Sequence, residues 1–317
     1  MNAVDVRKSG EMIIDNIEKV IVGKRGVLKM VLTALLSNGH VLLEDMPGTG
    51  KTTLAKALAR SVDIVCTRVQ FTPDLLPSDL TGINFYNQKL GEFSFRRGPL
   101  FTNLLLADEI NRATPRTQSS LLESMEEATV TVDSVTYRLD KPYFVIATQN
   151  PIETQGTFPL PEAQLDRFFM KLSMGYLERE SEIEMLSRGR SGLALDDLLA
   201  VATGKDICEM QSAVREIAVS DDIKGYIVDV THATREHQNA RVGVSPRGSL
   251  ALMRGAQAYA ALEGRDFVTP DDVKAVAPAI LSHRIVPKGG AALRSANAGA
   301  QIVAETLSKV AVPTENA

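Results

Sequence analysis

An α/β fold, with a parallel sheet between helices and an all-helical C-terminal region, is what the sequence predicts, and three observations carry it. Short apolar runs alternate with helical stretches through the first half of the chain, and a glycine-rich turn joins the first run to a helix. Beyond Tyr176 the pattern becomes almost wholly helical. A length of 317 residues fits about two domains. The expected division is therefore 1–176, an α/β unit with N-terminal helices and two inserted hairpins, and 177–317, a helical unit with a loose tail.

Taken in order, residues 10–38 read as two helices broken at Gly23, with Met12, Ile13, Ile17, Val20 and Ile21 on one stripe and Leu28, Val31, Leu32 and Leu35 on the next. "GHVLL" is a strand. "TTLAKALARSVD" is a helix whose Leu54, Leu58 and Val62 recur every fourth residue. "IVCTRVQF", "NLLLA" and "YFVIAT" are short apolar runs bounded by polar residues, the signature of parallel strands covered on both faces. Two hairpins interrupt them, at 81–98 and at 128–140, the second turning at Asp133-Ser134. Further on, Ser245 and Pro246 open a helix that runs to about Leu262, and "TPDDV" opens another with Thr269 as its cap. "VPTENA" reads as a loose tail.

Composition removes several function classes. The net charge of −4 supplies no basic field to draw the chain to nucleic acid or anionic lipid. Cys66 and Cys208 stand alone, which argues against a disulfide framework or a zinc site and for the cytoplasm. No apolar run is long enough to cross a membrane.

The stretch "VLLEDMPGTGKTT" departs from the phosphate-loop pattern G-x-x-x-x-G-K-[ST] at one position, where Asp45 replaces the first glycine. Pro47, Gly48, Thr49, Gly50, Lys51, Thr52 and Thr53 supply the rest. Backbone N–H groups and the helix N-terminus hold the phosphates, Lys51 reaches the β/γ oxygens and Thr52 binds Mg²⁺. Position 45 is only the exit from the strand. Aspartate tolerates the left-handed turn that glycine would serve there, and its carboxylate is expected to turn away from the phosphates. Downstream, "NLLLADE" ends a strand in Asp108-Glu109, one carboxylate for the Mg²⁺ shell and one to act as base toward water. The plainer alternative is that the pair caps the following helix.

With these motifs in order, the sequence resembles the AAA+ ATPases, and within them the MoxR family, along almost its whole length. "GHVLLEDMPGTGKTTLAKALA", "QFTPDLLPSDLTG", "LLLADEINRATPRTQSSLLESMEE", "FVIATQNPIETQGTFPLPEAQLDRF" and "VGVSPRGSLALMRGAQAYAALEGRDFVTPDDV" carry the likeness. The last is also similar to magnesium-chelatase lids. "LLEDxPG" is common in the MoxR family, so Asp45 is ordinary there. The resemblance implies an AAA+ P-loop NTPase domain with a helical lid, ATP and Mg²⁺ as ligands, and a homo-oligomeric ring, usually hexameric. Partners that contain von Willebrand factor A domains, and remodelling, metal insertion or complex assembly as the work done, are implied in the same way.

Carried over by position, Lys51 and Thr52 are the Walker A ligands, Asp108 the Walker B metal aspartate and Glu109 the catalytic base. Asn150 in "ATQNP" corresponds to sensor 1, although composition alone would make it a turn residue before Pro151. Arg167 in "AQLDRFF" resembles the arginine finger lent to a neighbouring subunit; its alternative is a surface pair with Asp166 or Glu162. Arg247 corresponds to sensor 2 and has a physical signal of its own. It lies in the first turn of a helix, where a cation opposes the dipole, and so is expected to reach for an anion. Lys89, Arg96 and Arg97 on the first hairpin fit either a charge-protected edge or a contact with a partner. A nucleic-acid motor and a chelatase subunit are the rival readings, to be separated by DNA-stimulated ATPase activity and by porphyrin dependence.

Overall fold

The computed structural model describes residues 1–89, 91–151, 156–188, 195–289 and 297–313; the end of the expected tail, 314–317, lies outside them. Helix α1 (Ala3–Glu18) starts at Ala3 rather than near Gly10 because Asn2 and Asp5 form a reciprocal capping box, each side chain accepting from the other's amide. Gly23, at φ +68°, makes the break before α2 (Arg25–Leu36). The α/β part then runs β1 (Val41–Glu44), α3 (Lys51–Ser61), β2 (Cys66–Gln70), α4 (Pro77–Thr81), β3 (Gly82–Asn87), β4 (Glu92–Arg97), β5 (Leu104–Asp108), α5 (Pro115–Glu127), β6 (Thr129–Val132), β7 (Val135–Arg138), β8 (Phe144–Gln149), α6 (Glu162–Leu165) and β9 (Met170–Leu172). Helices dominate the C-terminal part: α7 (Arg179–Arg188), α8 (Gly204–Arg215), α9 (Asp221–Glu236), β10 (Ala240–Val242), α10 (Pro246–Leu262), α11 (Pro270–Leu281), β11 (Val286–Pro287) and α12 (Ala298–Lys309).

Five strands make one parallel sheet in the order β2-β5-β8-β1-β9. Alternation explains their unbroken apolar runs. Val41, Leu43, Leu104, Leu106, Phe144 and Ile146 enter one core with α1, α2, α3 and the C-terminal helices. Leu42, Leu105, Ala107, Val145 and Ala147 enter a second core with Leu121, Leu122 and Met125 of α5. The edge strand β9 is not among the strands expected from the sequence. At three residues it is too short to show a period, and only its ladder with β1 defines it.

Both hairpins are present, β3–β4 and β6–β7, the latter turning at Asp133 and Ser134 with φ of 47° and 69°. They pack together: Phe95 stacks on Tyr137 with ring centroids 4.5 Å apart, and Asn84 Nδ2 donates to Asp133 Oδ2 at 2.8 Å. The N-terminal helices α1 and α2 pack on α10, so the first apolar core runs continuously into the C-terminal helices. Among the described residues no helix is long and apolar enough to cross a membrane.

Candidate active site

Parallel strands end at one edge of their sheet, and that edge gathers the glycine loop, the acidic pair and Asn150. The loop 45–50 leaves β1 and enters α3, whose N-cap is Gly50 at φ +89°, a backbone state that favours glycine, with no side chain capping the helix. Gly48 is also left-handed, at φ +84°. The uncapped amides of the first turn of α3 are therefore available to an anion. Lys51 Nζ donates to the Asp45 carbonyl at 2.9 Å, folded back along the loop. A cavity of about 370 Å³ is lined by Pro47, Gly48, Gly50, Lys51, Thr52, Thr53, Asp108, Glu109 and Asn150. A second, of about 410 Å³, shares Pro47, Gly48, Gly50 and Thr53 and extends past Thr49 to apolar Val20, Ile21, Met174 and Met185. One lobe suits phosphates and a cation, the other a flat apolar ring. Thr52 and Asp108 in one cavity fit Mg²⁺, which takes few protein ligands and completes its shell with phosphate oxygens and water.

Asp45 resolves the mismatch in the loop. The residue is 6% exposed and its carboxylate is held away from the cavity that contains Lys51, accepting from Ser173 Oγ at 2.7 Å, the Met174 amide at 2.6 Å and the Gly175 amide at 3.0 Å. The left-handed turn expected at position 45 is not there. Positive φ is confined to other residues, and the aspartate is held by its hydrogen bonds instead.

The acidic pair is fixed from several sides. Thr148 Oγ1 donates to Asp108 Oδ1 at 2.6 Å and accepts from the Glu109 amide at 2.9 Å. Asp108 Oδ2 accepts from Arg68 Nη2 at 2.8 Å, and Glu109 Oε2 accepts from Gln70 Nε2 at 2.7 Å and Arg112 Nη1 at 3.0 Å. Glu109 itself is left-handed, at φ 56°, an uncommon state for a non-glycine residue and one that clusters at functional sites. It occupies the N-cap position of the 3-10 turn Ile110–Arg112 but its side chain makes no capping hydrogen bond, and the next α-helix, α5, has Thr114 as its N-cap, so side-chain capping is not what the pair does. Gln70 pairs with Asp108 in the β2–β5 ladder, and its place at a strand end was the one available signal for its role.

The arginines lie elsewhere. Asn38, Gly39 and His40 before β1, and Asp166, Arg167 and Phe169 before β9, line a cavity of about 320 Å³ with Glu126, Arg247, Arg254 and Arg284. This is the strand-start edge, opposite the phosphate loop. Arg247 does reach an anion: its Nη2 lies 2.8 Å from Glu126 Oε1, while Arg167 Nη1 lies 3.4 Å from Glu126 Oε2. Ser245 and Pro246 open α10 as expected, with Ser245 Oγ accepting from Gly248 at 3.4 Å. The alternative pairing for Arg167 is corrected, since Asp166 binds Arg284 and Glu162 binds Arg241. Beside this cluster, His40 is buried and its pKa is lowered to about 4, chiefly by desolvation, partly offset by its bond to the Met125 carbonyl. Its Nδ1 accepts from the Val145 amide at 3.1 Å, which leaves Nε2 to donate to Met125 O at 2.8 Å and makes the ring neutral.

Comparison with known proteins gives the same answer. Residues 40–170 match the model of the ATPase family associated with various cellular activities (AAA), and residues 232–306 match the AAA lid domain. The chaperone MoxR1 of Mycobacterium tuberculosis is 40% identical, over 87% of this chain and 75% of its own length. The chain belongs to the MoxR family of AAA+ ATPases. Another relative of this MoxR chain, the uncharacterised protein YeaC of Bacillus subtilis, is 50% identical over 95% of the chain and 94% of its own length. The crystal structure of a candidate ATPase from Cytophaga hutchinsonii superposes with a TM-score of 0.90 at 39% identity, covering 98% of this chain and 97% of that one.

Proposed function

We infer that the protein binds and hydrolyses Mg·ATP at sites shared between neighbouring subunits of a ring, by family likeness a hexamer, and uses the cycle to remodel or mature partner proteins. One observation supports the shared site above all. Arg167 and Arg247 converge on Glu126 at the strand-start edge and line a different cavity from Lys51, Asp108 and Glu109. The four residues of β1 separate those edges by about 13 Å. A chain whose finger and second sensor both face away from its own phosphates needs a second copy to complete the site.

In that reading Lys51 exchanges the Asp45 carbonyl for the β/γ oxygens, while the N-terminus of α3 accepts the phosphates. Thr52 and Asp108 hold Mg²⁺, which when bound neutralises phosphate charge. Glu109 takes the proton of the attacking water as its oxygen bonds to the γ-phosphorus and the β–γ bridge breaks, with Asn150 orienting the water. Arg167 and Arg247 of the neighbour leave Glu126 for the transferring phosphoryl group. The name chaperone on the mycobacterial relative supports partner remodelling, and a von Willebrand factor A domain protein is the partner type proposed. Tyr86 and Phe93, 54% and 74% exposed at the hairpin tip, favour partner contact over a merely protected edge.

Mixing inactive variants tests the shared site. Arg167→Ala should bind ATP yet lose roughly 10³-fold or more in turnover, as trans arginine fingers do. Lys51→Ala keeps a finger to lend. Their mixture should regain part of the activity. A mixture that stays inactive while subunits demonstrably exchange would overturn the shared site.

A further inference from the structure

Arg284 is the one arginine or lysine among the described residues that is buried, 8% exposed, and neither the nucleotide site nor the Glu126 pair uses it. It follows α11, in the turn Ser282–Arg284, far along the chain from the finger. Yet nearly all its donors go to the segment that carries Arg167. Nε donates to Asp166 Oδ1 at 2.7 Å, Nη2 to the carbonyls of Phe168 at 2.7 Å and Asp166 at 3.3 Å, and Nη1 to the Phe169 carbonyl at 3.2 Å. Nη1 also donates to the Ile280 carbonyl of α11. The finger is thus gripped on both flanks while its own side chain points to Glu126.

Residues 166–169 need such a grip. They lie between the four-residue helix α6 and the three-residue strand β9. A guanidinium suits the task because its planar fork presents five fixed donors, which an ammonium cannot do. The stem of Arg284 also packs on the first turn of α10. A Cβ built on Gly248 would sit 2.4 Å from Val244 Cγ1 and 3.1 Å from Arg284 Cδ, so glycine next to Arg247 leaves room for both. One buried side chain therefore touches both segments that carry the trans arginines.

We propose that Arg284 is a positioning residue for the arginine finger, tying the placement of a subunit's own helical lid to hydrolysis in its neighbour's site. It touches no nucleotide and acts through Arg167, and it rests on the shared-site reading above. The connection runs from the turn after α11 to the finger without passing through the chain's own phosphate loop, so a defect in Arg284 should be felt next door.

The test is the complementation group of Arg284→Lys in the full chain, which keeps the charge and loses the fork. The variant should keep its ATP KM within a few-fold and lose about 10²-fold in kcat, the scale of a misplacement near 1 Å. Mixed with Lys51→Ala, which supplies a sound finger, it should regain activity. Mixed with Arg167→Ala, it should not, because neither subunit then has a working finger. Regain with Arg167→Ala, or no regain with Lys51→Ala, would overturn the proposal. Failure of Arg167→Ala and Lys51→Ala to complement each other would instead overturn the shared site beneath it. Should Arg284→Lys not fold, Asp166→Asn decides, since it keeps an acceptor for Nε and loses the charge. It should join the finger's complementation group with a smaller loss of kcat, and unchanged kcat or complementation of Arg167→Ala would refute the proposal.

Discussion

Replacing Asp45 by glycine restores the full phosphate-loop pattern and should nevertheless weaken the protein. The carboxylate accepts three hydrogen bonds, from Ser173 Oγ, the Met174 amide and the Gly175 amide. Met174 is buried, so its orphaned N–H costs about 1–3 kcal/mol; the other two donors can find water and lose about 1 kcal/mol each. A glycine adds roughly 0.5–1 kcal/mol of backbone entropy. The sum is about 3.5–6 kcal/mol, or a fall in Tm on the order of 5–9 °C for a chain of this size. ATP affinity should not rise and should fall by no more than a few-fold, because the carboxylate binds residues 173–175, which border the apolar lobe, and does not line the cavity that holds Lys51. Differential scanning fluorimetry without nucleotide, and ATP titration of the same preparation, read the two quantities separately. An unchanged Tm together with a large gain in affinity would mean that the carboxylate faces the phosphates, and the account of the loop would fail.

Glu109→Gln should retain Mg·ATP binding and lose roughly 10²-fold or more in turnover, since it removes the base and keeps the shape; near-normal phosphate release would sink that assignment. His40 sets an acid limit on stability. The unfolded imidazole takes up a proton below about pH 6.5. The folded one resists until about 4, because burial disfavours the cation. Stability contributed by the neutral ring is therefore present above pH 6.5 and is lost as pH falls toward 4, at up to about 1.4 kcal/mol per unit. Urea unfolding of wild type and His40→Gln between about pH 7 and 4.5 should show the shallower slope in the variant, and equal slopes would refute the assignment.

Local chemistry was legible in the sequence because each signal lies within a few residues of its cause. The glycines of the loop announce backbone that must turn left-handed, the strand ending in Asp108-Glu109 announces carboxylates at a sheet edge, and Arg247 in a first helical turn announces an anion. Four of the five parallel strands and both hairpins were readable for the same reason, as alternation and turn chemistry are local. What the tertiary structure decided depends on segments far apart in the chain. Its ladder with β1 makes β9 a strand, Gln70 meets Glu109 only across the β2–β5 register, and Asp45 finds its donors at 173–175. Glu126 draws Arg167 and Arg247 together, and Arg284 grips the finger's flanks from the end of α11. No local pattern encodes those meetings, because they exist only once two apolar cores have closed on the two faces of one sheet.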